Sequence, residues 1–350
     1  MYSIELTPTN IHVIEASSRL KGVKVKAAFS VPMPMGAYIN GYIKDYVTIA
    51  KVIRDMLLSH NIRSGSFYFV MDSTAVKTKE MVVPDESRPN ILSILNKEIA
   101  DIIASEVHIV DYIAYNRFKE NKKWYLNCML YAIPREILLE FIKLSEEIGI
   151  RMKELDFHHN VIEKLWELEE PRIKRKVLIA PQKKSKRKPP KKKRKGRVEE
   201  DILEQEELEV WTQPAAIHIN QKIQLWVGLY QDSIKMVTNA VDGNCYSRTV
   251  PLTNFQEFAS TDAEAKKNQI IFYIDQIQAF MQFIDSVNKE QPLERIQAYG
   301  DQEDMEEIME FLRHEVSCPV EALQMPKGIS GISKDDYPVY CSAIGAMLRR

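Results

Sequence analysis

MYSIELTPTNIHVIEA (residues 1–16) opens the chain with the pattern of a β-hairpin. Ile4 and Leu6 alternate with polar residues before Pro8, and Ile11 and Val13 repeat the alternation after it. A period of two is typical of β-strands, so this stretch predicts two short strands joined by a tight turn. In many nucleotide-binding proteins such a turn holds phosphate, because a glycine lets the backbone approach the ligand closely. The turn here, residues 5–10, has no glycine.

The composition is that of an ordinary globular protein. The chain has 350 residues, of which 45% are hydrophobic and 28% charged, so we expect two or three domains with ample core. The net charge of -1 provides no attraction of the whole molecule to nucleic acid or membrane. The four cysteines are scattered and predict reduced thiols. Since we find neither a signal peptide nor a bilayer-spanning apolar run, we expect a cytoplasmic protein.

Strand and helix patterns recur in the same order in the two halves of the chain. IELTPTNIHVIEA (4–16) and IHINQKIQLWVGL (217–229) share a strand, a short polar turn and a second strand. We expect strands within 2–30 and at 66–72, 79–84, 107–115, 124–132, 151–157, 215–219, 222–230, 232–240, 242–250 and 296–301, and helices at 46–58, 85–103, 134–148, 160–170, 263–288, 304–316 and 339–350. Two three-stranded meanders followed by helices predict two similar α/β lobes with a cleft between them.

Two charged runs separate the halves. KKSKRKPPKKKRKGR (183–197) is almost entirely basic, and EEDILEQEELE (199–209) is heavily acidic. Neither run can bury a core, so residues 181–212 are predicted to be a disordered, surface-exposed linker or inserted loop.

Several short segments of the chain are similar, in order and spacing, to the sequence motifs of a known protein family. They are residues 4–15, 34–45 with two glycines, 82–84 followed by 96–99 on a helix, 148–156, and the C-terminal run 342–349. In order and spacing these segments resemble the actin-like PilM proteins of type IV pilus assembly, which are related in fold to FtsA. The resemblance spans nearly the whole chain except the charged linker.

This resemblance implies an α/β fold of the actin-like (RNase H-like) type with two lobes. Residues 1–180 would form the first lobe, with a small α+β subdomain inserted at about 40–120, and 213–350 the second lobe with a C-terminal helix. It also implies a non-catalytic cytoplasmic scaffold at the inner face of the cell membrane. The scaffold would bind the cytoplasmic tail of a PilN-like inner-membrane protein, in a groove between the inserted subdomain and the first lobe, and couple it to an assembly ATPase and a platform protein.

The three turns that hold nucleotide in actin-like ATPases are altered here. Glycines in those turns admit phosphate to backbone N–H groups, and acids position magnesium and water. By the resemblance, the corresponding positions are Glu5, Thr7 and Thr9 in the first turn, His218, Asn220 and Lys222 in the second, and Gly300 and Asp301 at the adenosine turn. Because added β-carbons and the charge of Asp301 obstruct the phosphate path, we predict degenerate turns, no catalytic residue and no required cofactor.

Three other interpretations stay open. The first is an ATP-binding, magnesium-dependent or ATP-hydrolysing enzyme of the same fold. The others use the basic tract, which consists of Lys183, Lys184, Lys186, Arg187, Lys188, Lys191, Lys192, Lys193, Arg194 and Lys195. The tract either is a solvated run whose positive charge is partly balanced by the acidic run, or it binds anionic lipid or nucleic acid. The membrane position implied by the resemblance favours lipid, and no aromatic residue in the tract could stack on bases. The pair His158-His159 is interpreted as turn and cap residues rather than metal ligands.

Overall fold

The computed structural model describes residues 1–19, 22–100, 107–169, 223–239, 245–252, 263–288 and 291–348. These residues form two α/β lobes and one small inserted subdomain. The predicted linker at 181–212, with its basic tract, lies outside the described residues.

The first lobe and its insertion contain ten strands and four helices in the described residues. The strands are β1 (Tyr2–Leu6), β2 (Asn10–Arg19), β3 (Gly22–Pro32), β4 (Tyr38–Ile39), β5 (Tyr42–Ile43), β6 (Phe67–Met71), β7 (Lys77–Pro84), β8 (His108–Glu120), β9 (Lys123–Pro134) and β10 (Met152–Phe157). The helices are α1 (Tyr46–Ser59), α2 (Arg88–Ala100), α3 (Arg135–Ile148) and α4 (His158–Glu169).

The rest of the described chain contains six further strands and three helices. The strands are β11 (Ile223–Tyr230), β12 (Ser233–Asn239), β13 (Cys245–Pro251), β14 (Leu293–Gly300), β15 (Val320–Ala322) and β16 (Ile329–Ser330). The helices are α5 (Ala263–Val287), α6 (Met305–Glu315) and α7 (Tyr337–Gly345).

The two large sheets have the same topology. One has the order β10-β6-β1-β2-β3, extended by β16, and the other β15-β14-β11-β12-β13. In the first sheet, β1, β2 and β3 form an antiparallel meander, and β6 and β10 run parallel to β1. In the second sheet, β11, β12 and β13 form the meander, and β14 and β15 run parallel to β11. The predicted repeat of element order is therefore confirmed. The topology also makes β11 the counterpart of β1 and β12 the counterpart of β2.

The core of the first lobe lies between its sheet and the helices α1 and α3. Apolar side chains spaced by three or four residues, such as Ile49 and Ile53 on α1 and Ile137 and Phe141 on α3, are fully buried against the strands. Asp45 caps α1, since its carboxylate accepts a hydrogen bond from the Thr48 amide at 3.0 Å. This packing fixes the ends of β1 and β6, which point to the interface between the lobes.

The inserted subdomain is a three-stranded sheet, β7-β9-β8, covered on one face by α2. It spans residues 77–134, whereas the resemblance placed it at about 40–120. The first part of that predicted range belongs to the lobe itself, because α1 packs in the main core and β6 lies between β1 and β10. The small core of the subdomain includes Val83, Leu95 and Leu130.

The end of the chain joins the two lobes. β16 pairs with β3 at the edge of the first sheet, and α7 packs between the lobes against α4, β2 and β14. The domain prediction assigned all of 213–350 to the second lobe, so the structure shifts its last part to the interface. Trp166 and Trp226 meet in this shared core with ring centroids 4.9 Å apart. In the described ranges, every helix is too short or too polar to cross a bilayer.

Candidate functional site between the lobes

The candidate site lies where the β1–β2 turn, the end of β14 and the start of α4 meet. β14 ends at Gly300 and is followed at once by Asp301, which enters the β1–β2 turn of the other lobe. Two of the predicted nucleotide turns, the first and the adenosine turn, are thus brought together. They contact each other directly through side chains.

Four polar side chains of the first lobe converge on one oxygen of Asp301. Oδ2 of Asp301 lies 2.8 Å from Asn10 Nδ2, 3.1 Å from Thr7 Oγ1, 3.2 Å from Thr9 Oγ1 and 3.3 Å from His12 Nε2. The turn itself is ordered by the Thr7 hydroxyl, whose Oγ1 accepts a hydrogen bond from the Asn10 amide at 2.9 Å. We call Thr7, Thr9, Asn10 and His12 the donor cluster.

The carboxylate of Asp301 is stabilised in its ionised form. Burial by itself would raise its pKa, but the hydrogen bond and charge of His12, followed by the hydrogen bonds from Asn10 and Thr7, hold the pKa of Asp301 below its usual range. Since the carboxylate is ionised, the Nε2 atom of His12 acts as the donor in this pair. The sequence predicted that the negative charge of Asp301 lies beside a nucleotide site, whereas in the structure its carboxylate contacts the side chains of the β1–β2 turn.

Gly300 has a structural reason to be glycine. Its φ is +119°, and a Cβ built on it would lie 2.1 Å from the carbonyl oxygen of Leu229 on β11. Any residue with a Cβ would be strained here, both by the positive φ and by the short distance to the Leu229 carbonyl. This close approach delivers Asp301 to the donor cluster.

The second-lobe turn differs from the one that the resemblance indicated. His218, Asn220 and Lys222 lie outside the described residues. Because β11 and β12 occupy the places of β1 and β2, the counterpart of the β1–β2 turn is Gln231-Asp232. The alignment of 4–16 with 217–229 made residues 222–230 the second strand of the second-lobe meander, whereas β11 is its first strand. This turn also lacks glycine.

Lys235 provides the buried positive charge beside that turn. Its Nζ lies 3.5 Å from Asp72 Oδ2 of the first lobe and 3.6 Å from the centroid of the Tyr230 ring. Burial raises the pKa of the Asp232 carboxyl, while the charge of Lys235 opposes that shift. Lys235 thus joins the lobes by its ion pair with Asp72, while its cation–π contact with Tyr230 lies within the second lobe.

A second buried network surrounds Glu5 and His158. The Nε2 atom of His158 lies 2.8 Å from the Tyr299 hydroxyl, and its Nδ1 atom lies 3.1 Å from Ser342 Oγ and 4.0 Å from Glu5 Oε1. Burial, followed by the charges of Lys235 and His159, holds the pKa of His158 well below its usual range. Burial also raises the pKa of Glu5. Both shifts favour neutral side chains at the interface.

This network resembles a catalytic triad in residue types only. Glu5, His158 and Ser342 are each exposed by no more than 2%, and His158 connects the other two to Tyr299 of the second lobe. A nucleophile needs access to substrate, so these side chains act as interface contacts. Within the described ranges, no group of three or more His, Cys, Asp or Glu side chains is arranged to hold a metal ion.

Sequence reasoning found some of this site and missed the rest. It singled out Glu5, Thr7, Thr9, Gly300 and Asp301, which the structure brings to the interface. It gave no role to Asn10, His12 or Lys235 in the site. The polar residue His12, at an inward-pointing position of a strand, was the available signal for a buried partner.

A cavity lies on the first lobe at the base of the inserted subdomain. It has a volume of about 460 Å³ and is lined by Tyr42, Val107, Pro134, Arg135, Glu136, Leu139, Glu140 and Lys143. Its floor is the first half of α3. We call it the α3 groove.

Comparison with solved structures decides the fold. The PilM chain of a PilM–PilN type IV pilus biogenesis complex matches with a TM-score of 0.70 at 13% identity, over 99% of this chain and 97% of that one. The chain has the actin-like ATPase fold. The predicted fold class and the structural likeness to PilM are confirmed, and at this identity the match speaks for the fold alone.

Two further solved structures align with most of the chain at TM-scores below 0.5. EutJ, an ethanolamine utilization protein from Carboxydothermus hydrogenoformans, has a TM-score of 0.45 at 8% identity and covers 99% of this chain and 89% of its own. The cytoplasmic domain of EpsL, an inner-membrane component of the type II secretion system of Vibrio cholerae, has a TM-score of 0.40 at 9% identity, with 99% and 92% covered. No family model and no curated protein matches the sequence significantly.

Proposed function

We propose that this protein is a PilM-like component of a type IV pilus or related assembly machine. In this role it is a cytoplasmic scaffold that binds the tail of a PilN-like inner-membrane protein and connects it to an assembly ATPase and a platform protein. The observation that carries the proposal is the correspondence with PilM over 99% of this chain at a TM-score of 0.70. That correspondence extends through the inserted subdomain as well as both lobes.

The α3 groove is the proposed binding site for the tail. Val107 is 70% exposed and Leu139 is 42% exposed, which leaves apolar surface at the groove uncovered. Both signs of charge surround it, from Arg135, Glu136, Glu140 and Lys143. An extended peptide suits such a site, because apolar side chains fill the pocket while polar neighbours fix its direction.

The groove is positioned by contacts between separate elements. The Glu140 carboxylate accepts a hydrogen bond from the Ile43 amide at 2.7 Å, which ties the β4–β5 hairpin to α3. The Arg135 amide donates to the Val107 carbonyl at 2.9 Å, which ties the subdomain to the start of α3. A tail bound here would contact both the lobe and its insertion, as the sequence prediction required.

Binding rather than catalysis is the proposed mode of action. Asp301 occupies the hydrogen-bond donors of the first turn, and the second turn, Gln231-Asp232, has no glycine. These contacts support the proposal that phosphate binding has been lost. The enzyme alternative is tested by calorimetry with ATP and magnesium and by phosphate release, and turnover at the wild-type site would overturn the non-catalytic proposal.

The tail proposal is tested by calorimetric titration of the full chain with synthetic N-terminal segments of single-span membrane proteins from the same genome. We expect one segment to bind, and Leu139→Glu to weaken it by at least about tenfold, since the variant removes apolar contact area and places a carboxylate against the apolar side chains of the bound segment. Leu58→Glu is the matched control, because Leu58 is 59% exposed on α1 outside the groove. Failure of every segment, or equal effects of both variants, would contradict the proposal.

The basic tract is a separate proposal about membrane contact. Anionic lipid is the favoured partner because the resemblance implies a position at a membrane, and nucleic acid is disfavoured because the tract contains no aromatic residue that could stack on bases. Deleting 183–197 and measuring binding to anionic vesicles and to DNA across salt concentrations separates the two partners. Unchanged vesicle binding after deletion would refute the lipid contact.

A further inference from the structure

The end of the β8–β9 hairpin combines basic and aromatic side chains. Residues 117–124 (RFKENKKW) contain four basic residues and one acidic residue, and the side chain of Trp124 is 44% exposed. Tryptophan is well buried on average, and it is enriched where one part of its ring is apolar and another part is wet. An exposed tryptophan among lysines is therefore a candidate for a contact surface. We call Lys119, Lys122, Lys123 and Trp124 the hairpin tip.

The hairpin tip extends beyond the rest of the inserted subdomain. β7 is last paired with β9 at Pro84 and Tyr125, whereas β8 and β9 stay paired up to Glu120 and Lys123. All three lysines of the tip are exposed. A flat surface that approached the subdomain from this end would therefore meet the tip first.

Lys122 stands at a position where glycine would be less strained. The turn between β8 and β9 consists of Asn121 and Lys122, whose φ angles are +47° and +68°. Two-residue turns of this kind prefer glycine at the second position, because a residue with a β-carbon is strained at a positive φ. The geometry of the turn gives no reason for a lysine there, whereas contact with negative charge does.

The positive charge of this region is only partly balanced. Arg117 forms an ion pair with Asp85, and the three lysines of the tip less Glu120 leave a local net charge of +2. Arg117 and Lys119 also lie over the Trp124 ring, 4.5 Å and 5.5 Å from its centroid. Cations over the ring cover surface that a stacked base would need, so the tip suits a lipid surface better than nucleic acid.

We propose that the hairpin tip binds the surface of an anionic lipid bilayer. The lysine ammonium groups contact anionic headgroups, and the exposed part of the Trp124 ring lies at the boundary between headgroups and acyl chains, where tryptophan is favoured. The tip is separate from the basic tract and from the α3 groove. It adds a membrane contact to the proposed scaffold, but it does not depend on the binding of a membrane-protein tail.

The charge of the tip is tested by sedimentation of the full chain with vesicles that contain phosphatidylserine or phosphatidylcholine alone. The double variant Lys122→Gly with Lys123→Gln removes two positive charges and gives the turn the residue that it prefers. We expect this variant to fold as wild type does and to bind phosphatidylserine vesicles at least about tenfold more weakly. Lys24→Gln with Lys51→Gln is the matched control, since both lysines are exposed outside the subdomain, and it should bind like wild type. The basic tract is present in all three chains, so it does not account for a difference between them.

The position of Trp124 is tested by quenching of tryptophan fluorescence with brominated lipid. Trp124 should be quenched, whereas Trp166 and Trp226 are buried and pack against each other between the lobes. Trp124→Phe should keep most of the vesicle binding, because an aromatic ring remains, and should lose most of the quenching.

Weaker vesicle binding by the double variant, together with quenching that depends on Trp124, supports the contact. Equal vesicle binding by wild type and the double variant, or quenching that Trp124→Phe leaves unchanged, overturns it. A parallel measurement in which the double variant loses DNA binding but keeps vesicle binding would assign the tip to nucleic acid and overturn it as well. Calorimetric titration with the tail segment should give the same affinity for wild type and the double variant, so failure of the lipid contact is distinguishable from failure of the proposed scaffold.

Discussion

Tyr299→Phe tests whether the His158 network holds the lobes together. Tyr299 is fully buried on β14, and its hydroxyl lies 2.8 Å from His158 Nε2 at the start of α4. The two rings also stack, with centroids 5.6 Å apart. The substitution removes one oxygen atom and keeps the ring, so ring packing against His158 and Gly228 is retained.

The expected loss of stability follows from what remains behind. Without the hydroxyl, the Nε2 atom of His158 is buried with no partner, and a buried unsatisfied polar group costs about 1–3 kcal/mol. The free energy of unfolding should fall by that amount, which is roughly a 5- to 150-fold change in the unfolding equilibrium. The stacked ring limits the loss to the polar group.

Urea unfolding at pH 7.5, followed by tryptophan fluorescence, measures this loss. Trp166 and Trp226 report directly on the interface, because they pack against each other across it. Tyr340→Phe is the matched control, since Tyr340 is only partly buried, and its effect should stay within about 0.5 kcal/mol. A loss for Tyr299→Phe below about 0.5 kcal/mol, with the urea dependence unchanged, would refute the reasoning.

Three other predictions concern the same interface. The pKa of His158 is lowered by burial, so below about pH 6.5 the unfolded chain binds a proton that the folded protein does not bind. The contribution of His158 to stability should therefore be complete above about pH 6.5 and decrease below it. In urea titrations, His158→Gln should reduce the decrease between about pH 6.5 and 5. The pKa of Glu5 is raised by burial, so above about pH 4.5 the folded protein retains a proton that the unfolded chain releases. Stability should therefore decrease as the pH rises above 4.5, and Glu5→Gln should make that decrease smaller. Equal pH profiles for wild type and variant would contradict either assignment. Gly300→Ala should lower stability by about 1–3 kcal/mol, because its Cβ would meet the Leu229 carbonyl at 2.1 Å, and an unchanged melting curve in circular dichroism would contradict this.

Local patterns predicted most of the elements. The alternation in residues 2–30 predicted β1, β2 and β3, and the apolar stripes predicted α1, α3 and α6 near their observed bounds. These predictions worked because side-chain periodicity reflects which face of an element is buried. The short β4–β5 hairpin was missed, since two-residue strands are too short to show a period.

The candidate site was only partly predictable. Unusual residues in the turns drew attention to Thr7 and Asp301, but their mutual contact was not foreseen. The residues are 294 positions apart, and no local pattern records a pairing at that separation. The inserted subdomain was located too early for a similar reason, because α1 has the same amphipathic pattern in either core.

The sequence by itself determined the order of strands and helices, the likeness of the two halves and the absence of glycine from the first turn. Only the tertiary structure decided which turn of the second lobe corresponds to the first, because equivalence depends on the place of β11 in its sheet. It also decided that Asp301 lies against the donor cluster rather than beside a free cleft. The physical reason is that periodicity and turn chemistry act over a few residues, whereas hydrogen bonds between lobes depend on how two separately packed sheets meet.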